Sequence, residues 1–156
     1  MGNKMSDHDF YQVALKVLLR NKKGEFLFLK CRDSSSHAGY YDLPGGRIDV
    51  DEFHTPFEDI LAREIREEVG DIKYTLDRRP ATIGRKIIPA AYTHSKERDF
   101  HILYVVFLVQ YQNGEIKISA EHKDFMWLDL KSADTSKYFK EGVLECVNRY
   151  LEIGGK

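Results

Sequence analysis

Arg63-Glu64-Ile65-Arg66-Glu67-Glu68-Val69-Gly70 closes the best-marked helix of the chain, and Thr55-Pro56-Phe57-Glu58 opens it. Thr55 is placed as the N-cap, Pro56 as the first helical residue and Glu58 three residues past the cap, a capping box. Gly70 offers a left-handed exit. Between them Phe57, Ile60, Leu61, Ile65 and Val69 recur at steps of three and four, so the sequence predicts a helix over residues 56–69 with one apolar stripe. Glu64, Glu67 and Glu68 are also three and four apart, which puts all three on one side, overlapping the apolar side one turn earlier.

That placement is costly. The acids occupy the last turns, where the helix dipole is negative, and like charges at these spacings repel by a few tenths of a kcal/mol per pair. Two kinds of positive charge answer the cost. Arg63 and Arg66 are near, although they are expected to project mainly to the other side of the helix, leaving an ordinary solvated acidic face. The alternative is a hard divalent cation, for which carboxylate oxygens are the natural ligands.

Working outward, residues 10–20 and 25–30 are rich in aliphatic and aromatic side chains and are joined by Asn21-Lys22-Lys23-Gly24, a hairpin signal. Residues 33–39 are polar and predict a loop. Asp42-Leu43-Pro44-Gly45-Gly46 turns the chain sharply. Past the helix, strands are expected at 72–76, 85–92, 100–111 and 125–128. The run over 100–111 is too uniformly apolar for an edge and is expected at the centre of the sheet. A second amphipathic helix is expected over 136–151. One helix in the middle and one at the end of a run of strands predict an α/β fold, a mixed sheet covered by helices.

A chain of 156 residues fits one domain, 1–156, and buries roughly two-thirds of its unfolded surface. The start, 1–8, is expected to be flexible, and Met1-Gly2-Asn3-Lys4-Met5-Ser6 matches the loose pattern for N-myristoylation, more simply read as a frayed terminus. The net charge of −1, from 24 basic and 25 acidic residues, gives no bulk field for nucleic acid or an anionic membrane. No apolar run approaches the roughly 20 residues of a membrane span, and a cytoplasmic location is expected. Cys31 and Cys146, far apart and outside any C-x-x-C pair, are expected to be free thiols in a reducing compartment.

Gly46-x5-Glu52 followed by Arg63-Glu64-Ile65-x-Glu67-Glu68-x-Gly70, entered through Leu43-Pro44-Gly45-Gly46, resembles the Nudix box, G-x5-E-x7-R-E-U-x-E-E-x-G-U with U aliphatic. Two departures stand out. Ten residues, 53–62, separate Glu52 from Arg63 where the pattern has seven, which puts the role of Glu52 in question. Asp71 also replaces the final aliphatic residue, with Ile72 following. The resemblance implies the Nudix fold, an α/β/α sandwich with a central mixed β-sheet. It implies a magnesium-dependent hydrolase, with Mn²⁺ as a substitute, that cleaves the phosphoanhydride bond of a nucleoside diphosphate linked to another group.

By the same resemblance, Glu64, Glu67 and Glu68 are metal ligands with the carbonyl of Gly46 nearby. Glu64 or Glu68 orients the attacking water, Arg63 holds a glutamate in place, and Glu121, six residues before Trp127, supplies a late acidic ligand. Arg32 at a strand end is a candidate phosphate contact and Tyr41 a candidate base-stacking residue, each weighed against solvation or packing. The partner is a small nucleotide, and homodimers, common in the family, are an expectation of the resemblance. Loss of a box glutamate would have favoured a sensing domain without turnover, and all three are present. No added cysteine–glutamate constellation supports an isoprenyl diphosphate isomerase. Six histidines show no metal-ligand spacing, with His101 expected to face the core or the cleft. Pro89 lies near a proline of ADP-ribose-cleaving relatives, at imperfect spacing. Asp49-Val50-Asp51 lacks the glycine and later acid of a calcium loop.

Overall fold

The computed structural model describes residues 7–154, so the Met1–Ser6 pattern and most of the expected flexible start lie outside the described residues. β1 (Tyr11–Arg20) is the axis of the sheet. It runs parallel to β6 (Phe100–Asn113) through ten paired positions, Tyr11↔His101 to Arg20↔Gln110. β5 (Lys73–Ile88) pairs antiparallel with β6, and β2 (Phe26–Cys31) with β3 (Tyr41–Asp42) and β7 (His122–Leu128). The path β3-β2-β1-β6-β5 makes β6 an interior strand, as its unbroken apolar run predicts.

The β1–β2 hairpin is tight only at its turn. Asn21 Oδ1 accepts the Lys23 and Glu25 N–H groups at 2.9 and 3.0 Å, and Arg20 pairs with Phe26. Below that pair β4 (Gly45–Arg47) wedges against β1, Ala14↔Arg47 to Lys16↔Gly45. The glycine turn is thereby a strand of the sheet, set directly beside its central axis.

Each face of the sheet carries one helix. Leu15, Val17 and Leu19 point to α1 (Phe57–Glu68) and meet Ile60, Leu61, Ile65 and Val69. Ala14 and Leu18 point the other way, to α2 (Glu141–Glu152), and join Phe28, Tyr104, Val143 and Val147. β1 is apolar on both faces because both are covered, so its sequence is continuous rather than alternating. Cys31 and Cys146 are free and buried, and burial pushes their thiols up to about 11 and about 12.

Several boundaries differ from those expected. The N-cap of α1 is Pro56, with no side-chain cap, and Thr55 makes no capping box. Thr55 N–H instead donates to the Glu52 carbonyl at 2.9 Å, closing a turn that precedes the helix, while Glu58 pairs with Arg78. Gly70 does adopt positive φ, +112°. Residues 73–88 form one strand rather than two separated by a loop. The ladder skips on either side of Pro80, which has no N–H to donate and is tolerated because β5 is an edge strand. Residues Ala90–Tyr92 form a 3₁₀ turn and not the end of a strand.

α2 starts at Glu141, after a separate 3₁₀ turn at Thr135–Lys137. Between the two, Phe139 lies against Phe28 with ring centroids 4.4 Å apart, and Tyr41 N–H donates to the Tyr138 carbonyl at 2.9 Å. Those contacts hold the backbone out of a continuous helix. Among the described residues no helix is long and apolar enough to cross a membrane.

Candidate active site

Gly45 sits at φ +126°, and a Cβ there would lie 2.1 Å from the Leu15 carbonyl oxygen. Only glycine lets β4 come this close to β1. A Cβ on Gly46 would lie 2.6 Å from both carboxylate oxygens of Glu64. Glu68 reaches the same turn, its Oε2 accepting the Gly45 N–H at 2.8 Å. The turn and the last turns of α1 therefore interlock, with two carboxylates as the contact.

Glu64 and Glu68 are each only 8% exposed, in line with their four-residue spacing on the buried stripe. Glu67 diverges: its side chain is 56% exposed and turns to Arg63, 3.2 Å from Nη1. Arg63 corrects a second expectation. It does not project away from the acids but lies among them, with Nη1 2.9 Å from Glu64 Oε1. Its Nε and Nη2 meet Glu52 Oε1 at 2.9 and 2.7 Å. Arg66 stays exposed.

The extra length in the box does not remove Glu52. Val50–Glu52 is a 3₁₀ turn in which the Asp49 N–H donates to Glu52 Oε2 at 3.0 Å, and residues 53–55 turn the chain back into α1. The Asp49 N–H and the Arg63 guanidinium together hold the Glu52 carboxyl below its ordinary range. The surplus is spent at the surface, where Phe53 is exposed.

Glu64 is pushed the other way. Burial raises its pKa, Arg63 opposes that, and the neighbouring Glu68 and Glu67 charges add to the rise. One arginine shared among three glutamates, with Glu68 beside them, leaves negative charge in excess. Among the described residues no three acidic, histidine or cysteine side chains form a ready metal cage. Magnesium needs none, because it commonly takes one or two carboxylates and fills its octahedron with water and substrate phosphate. The hard oxygens of Glu64 and Glu68, against a turn with no side chain between them, fit that donor requirement.

On the other side of the turn lies a charge that the sequence reading passed over. Lys16 is buried, and its ammonium donates to the carbonyls of Leu43 and Gly45, both at 3.0 Å, and to Asp42 Oδ2 at 3.3 Å. Burial alone would lower its pKa, but Asp42, Glu68 and Glu64 raise it above the usual lysine value. Asp42 shows the converse: burial pushes its carboxyl up, and Lys16 and Lys86 more than reverse it. The signal was present, since Lys16 is the lone charge within the apolar run Val13-Ala14-Leu15-Lys16-Val17-Leu18-Leu19.

The remaining candidates scatter. Glu121 is exposed just before β7, and its neighbour His122 points to the cluster instead, with Nε2 3.3 Å from Glu68 Oε1. His122 escaped sequence reading because its strand register against β2, not its spacing from other histidines, aims it inward. Arg32 is exposed beside the 33–39 loop. Tyr41 packs edge-on to Tyr138 at 6.3 Å, with Lys30 Nζ 5.9 Å from its ring centre. His101 takes neither expected role cleanly: it is partly exposed and meets Asp9 at 2.6 Å. Buried His37 pairs with Glu141 at 3.1 Å.

A mixed sheet between two helices, with a glycine turn locked to paired helix carboxylates, defines the hydrolase class with an α/β/α Nudix fold. The NUDIX domain pattern matches residues 10–147, and the chain belongs to that family of hydrolases. The nucleoside triphosphatase NudI of Escherichia fergusonii is 30% identical over 121 residues, covering 78% of this chain and 82% of that protein. The crystal structure of a MutT protein from Methanosarcina mazei Go1 superposes with a TM-score of 0.73 at 27% identity, covering 97% of this chain and all of that one. An ADP-ribose pyrophosphatase from Streptococcus suis shares the fold, with a TM-score of 0.61 at 18% identity over 94% of each chain.

Proposed function

We propose that the enzyme hydrolyses a nucleoside diphosphate linked to a group X, giving a nucleoside monophosphate and phosphorylated X, with Mg²⁺ as cofactor and Mn²⁺ as a substitute. The reaction consumes one water: its oxygen bonds to one phosphorus of the anhydride, and the bridging oxygen leaves on the other. The observation that carries the reading is the pair of buried carboxylates, Glu64 and Glu68, facing the side-chain-free Gly45-Gly46 turn. The relatives' names fit the same form, with X a phosphate in a nucleoside triphosphatase and a ribose in an ADP-ribose pyrophosphatase.

Glu64, Glu68 and the Gly46 carbonyl would hold the metal, with Glu67 and Glu121 at its margin. When bound, Mg²⁺ neutralises the diphosphate and lowers the pKa of water. Arg63 fixes Glu52, Glu64 and Glu67 in one arrangement, so that the acids are in position before substrate arrives. Glu64 or Glu68 accepts a proton from the attacking water. Arg32 contacts phosphate and Tyr41 borders the base.

The test is product analysis with ADP-ribose, diadenosine polyphosphates, nucleotide sugars and nucleoside triphosphates, each with magnesium and with EDTA. Glu67→Gln, which removes charge and little volume, is expected to lower metal-dependent kcat/KM by about 10–100-fold with the circular dichroism spectrum unchanged. Near-normal turnover in that variant would sink the role of Glu67.

A further inference from the structure

On the α2 face, alternate residues of β5 point inward. Thr82 Oγ1 donates to the Cys146 carbonyl at 2.9 Å, and a Cβ on Gly84 would meet Cys146 Sγ at 2.6 Å. Lys86 is the next residue on that side, and its stem passes the start of α2, where a Cβ on Gly142 would lie 3.0 Å from Lys86 Cβ. Lys86 then lines a cavity of about 380 Å³, between the 33–39 loop and the segment around Ala90–Tyr92. Ser34, Ser36, Tyr92 and Lys96 form much of the rest of the wall, and no acidic side chain lines it. The volume is in the range of small-ligand sites.

Thr93 and Ser35 use their hydroxyls locally, Thr93 Oγ1 donating to the Ala90 carbonyl at 3.0 Å and Ser35 Oγ accepting the His37 N–H at 3.1 Å, but the two lysines are unpaired. Among the described residues, neither Lys86 nor Lys96 makes a side-chain hydrogen bond or an ion pair within 4 Å. The acids nearest Lys86 are already engaged, Asp42 by Lys16 at 3.3 Å and Glu141 by His37 at 3.1 Å. Burial, with Lys16 adding like charge, holds the Lys86 pKa below the usual lysine value, Asp42 notwithstanding. A partly desolvated cation beside a second lysine and free hydroxyls is a poor structural element and a good anion site, since charge-assisted bonds to phosphate are the strong ones.

One charge links the cavity lining to the sequence of the glycine turn. Asp42, whose field acts on Lys86, immediately precedes the turn that carries Gly45 and Gly46. We propose that the cavity walled by Ser34, Ser36, Lys86, Tyr92 and Lys96 binds a phosphate group of the substrate outside the scissile diphosphate, and that favoured substrates carry one. This rests on the hydrolase reading above for the words "of the substrate"; the anion site itself does not.

Two measurements separate the claims. In the first, calorimetric binding of inorganic tripolyphosphate is followed in EDTA for the wild type, Lys86→Met, Lys96→Gln and, as a surface control, Lys131→Gln. Lys86→Met keeps the apolar stem, and Lys96 is in an exposed loop, so at least the second variant keeps the fold. The site predicts binding that weakens about tenfold or more in both cavity variants and not in the control. Equal binding by all four proteins, or none by any, overturns it.

The second measurement uses two matched pairs with magnesium, NADH with NADPH and ATP with adenosine tetraphosphate. Each pair differs by one phosphate group, at opposite ends of the molecule. In at least one pair, Lys86→Met should raise KM about tenfold for the phosphate-richer member, with kcat unchanged and the poorer member unaffected. Equal changes within both pairs overturn the substrate assignment, and phosphate binding that persists in the first test then belongs to a free anion. If none of these or the other nucleotides is cleaved, the hydrolase reading fails while the first measurement still decides the cavity.

Discussion

Two buried charge clusters flank the same turn, and they are opposites. On the α2 side Lys16 and Asp42 neutralise each other, and every direction of shift favours the charged pair. On the α1 side Glu64 is held against its preference, with burial, Glu68 and Glu67 outweighing Arg63 and the more weakly acting Lys16. Both clusters touch the turn: Lys16 through the Leu43 and Gly45 carbonyls, Glu68 through the Gly45 N–H. The compensated cluster shapes the turn. The other holds more acids than cations, the imbalance that the proposed metal would answer.

The largest effect expected from this contrast is on stability. Lys16→Met should cost about 3–5 kcal/mol in chemical denaturation, because it strands Asp42 and two carbonyls without a partner. A loss below about 1 kcal/mol would show that the pair is not holding the turn. Glu64→Gln should do the reverse. Metal-dependent kcat/KM should fall by more than the roughly hundredfold typical of outer-shell losses, while the melting temperature stays level or rises. A variant that is both inactive and markedly less stable would erase the distinction between the clusters.

Acidification sharpens the comparison further. The Asp42 pKa is depressed in the folded state, so its contribution is present above the unfolded value of about 3.9 and lost as pH falls through the folded one. The stability gap between wild type and Asp42→Asn, measured by urea unfolding, should be widest near neutrality and close below roughly pH 4. A gap that persists at pH 2 would assign it to packing and not to charge. The smallest effect is at Thr55. A true N-cap would lose about 1 kcal/mol on substitution by alanine, whereas Thr55→Ala should change the unfolding free energy by only a few tenths.

The Glu52–Arg63 contact shows where sequence reading worked and where it stopped. The box residues were legible because their spacing is local, a few turns of one helix and one turn of glycines. Whether three added residues would detach Glu52 was not legible, since it depends on how residues 53–55 fold back. They do so as a turn that projects Phe53 outward and leaves Glu52 within 2.9 Å of Arg63. The same limit explains Glu67 and His122. Helical periodicity groups Glu67 with the other acids, yet the guanidinium of Arg63 draws it off the buried face. His122 joins Glu68 through strand pairing between residues 91 positions apart, Cys31↔His122, which no local pattern encodes.

By itself the sequence determined the two amphipathic helices, the interior position of β6, the glycine turn and the acidic helix end. Each of these is written in short-range periodicity or in the steric freedom of particular residues. Tertiary structure alone decided that residues 73–88 form one edge strand, that Phe139 delays α2 until Glu141, and that Lys16 is a buried strut. It also brought Lys86 to a cavity between the 33–39 loop and the Ala90–Tyr92 turn. These are outcomes of which surfaces meet, and the meeting is set by burial and long-range pairing across the sheet, to which local propensity yields.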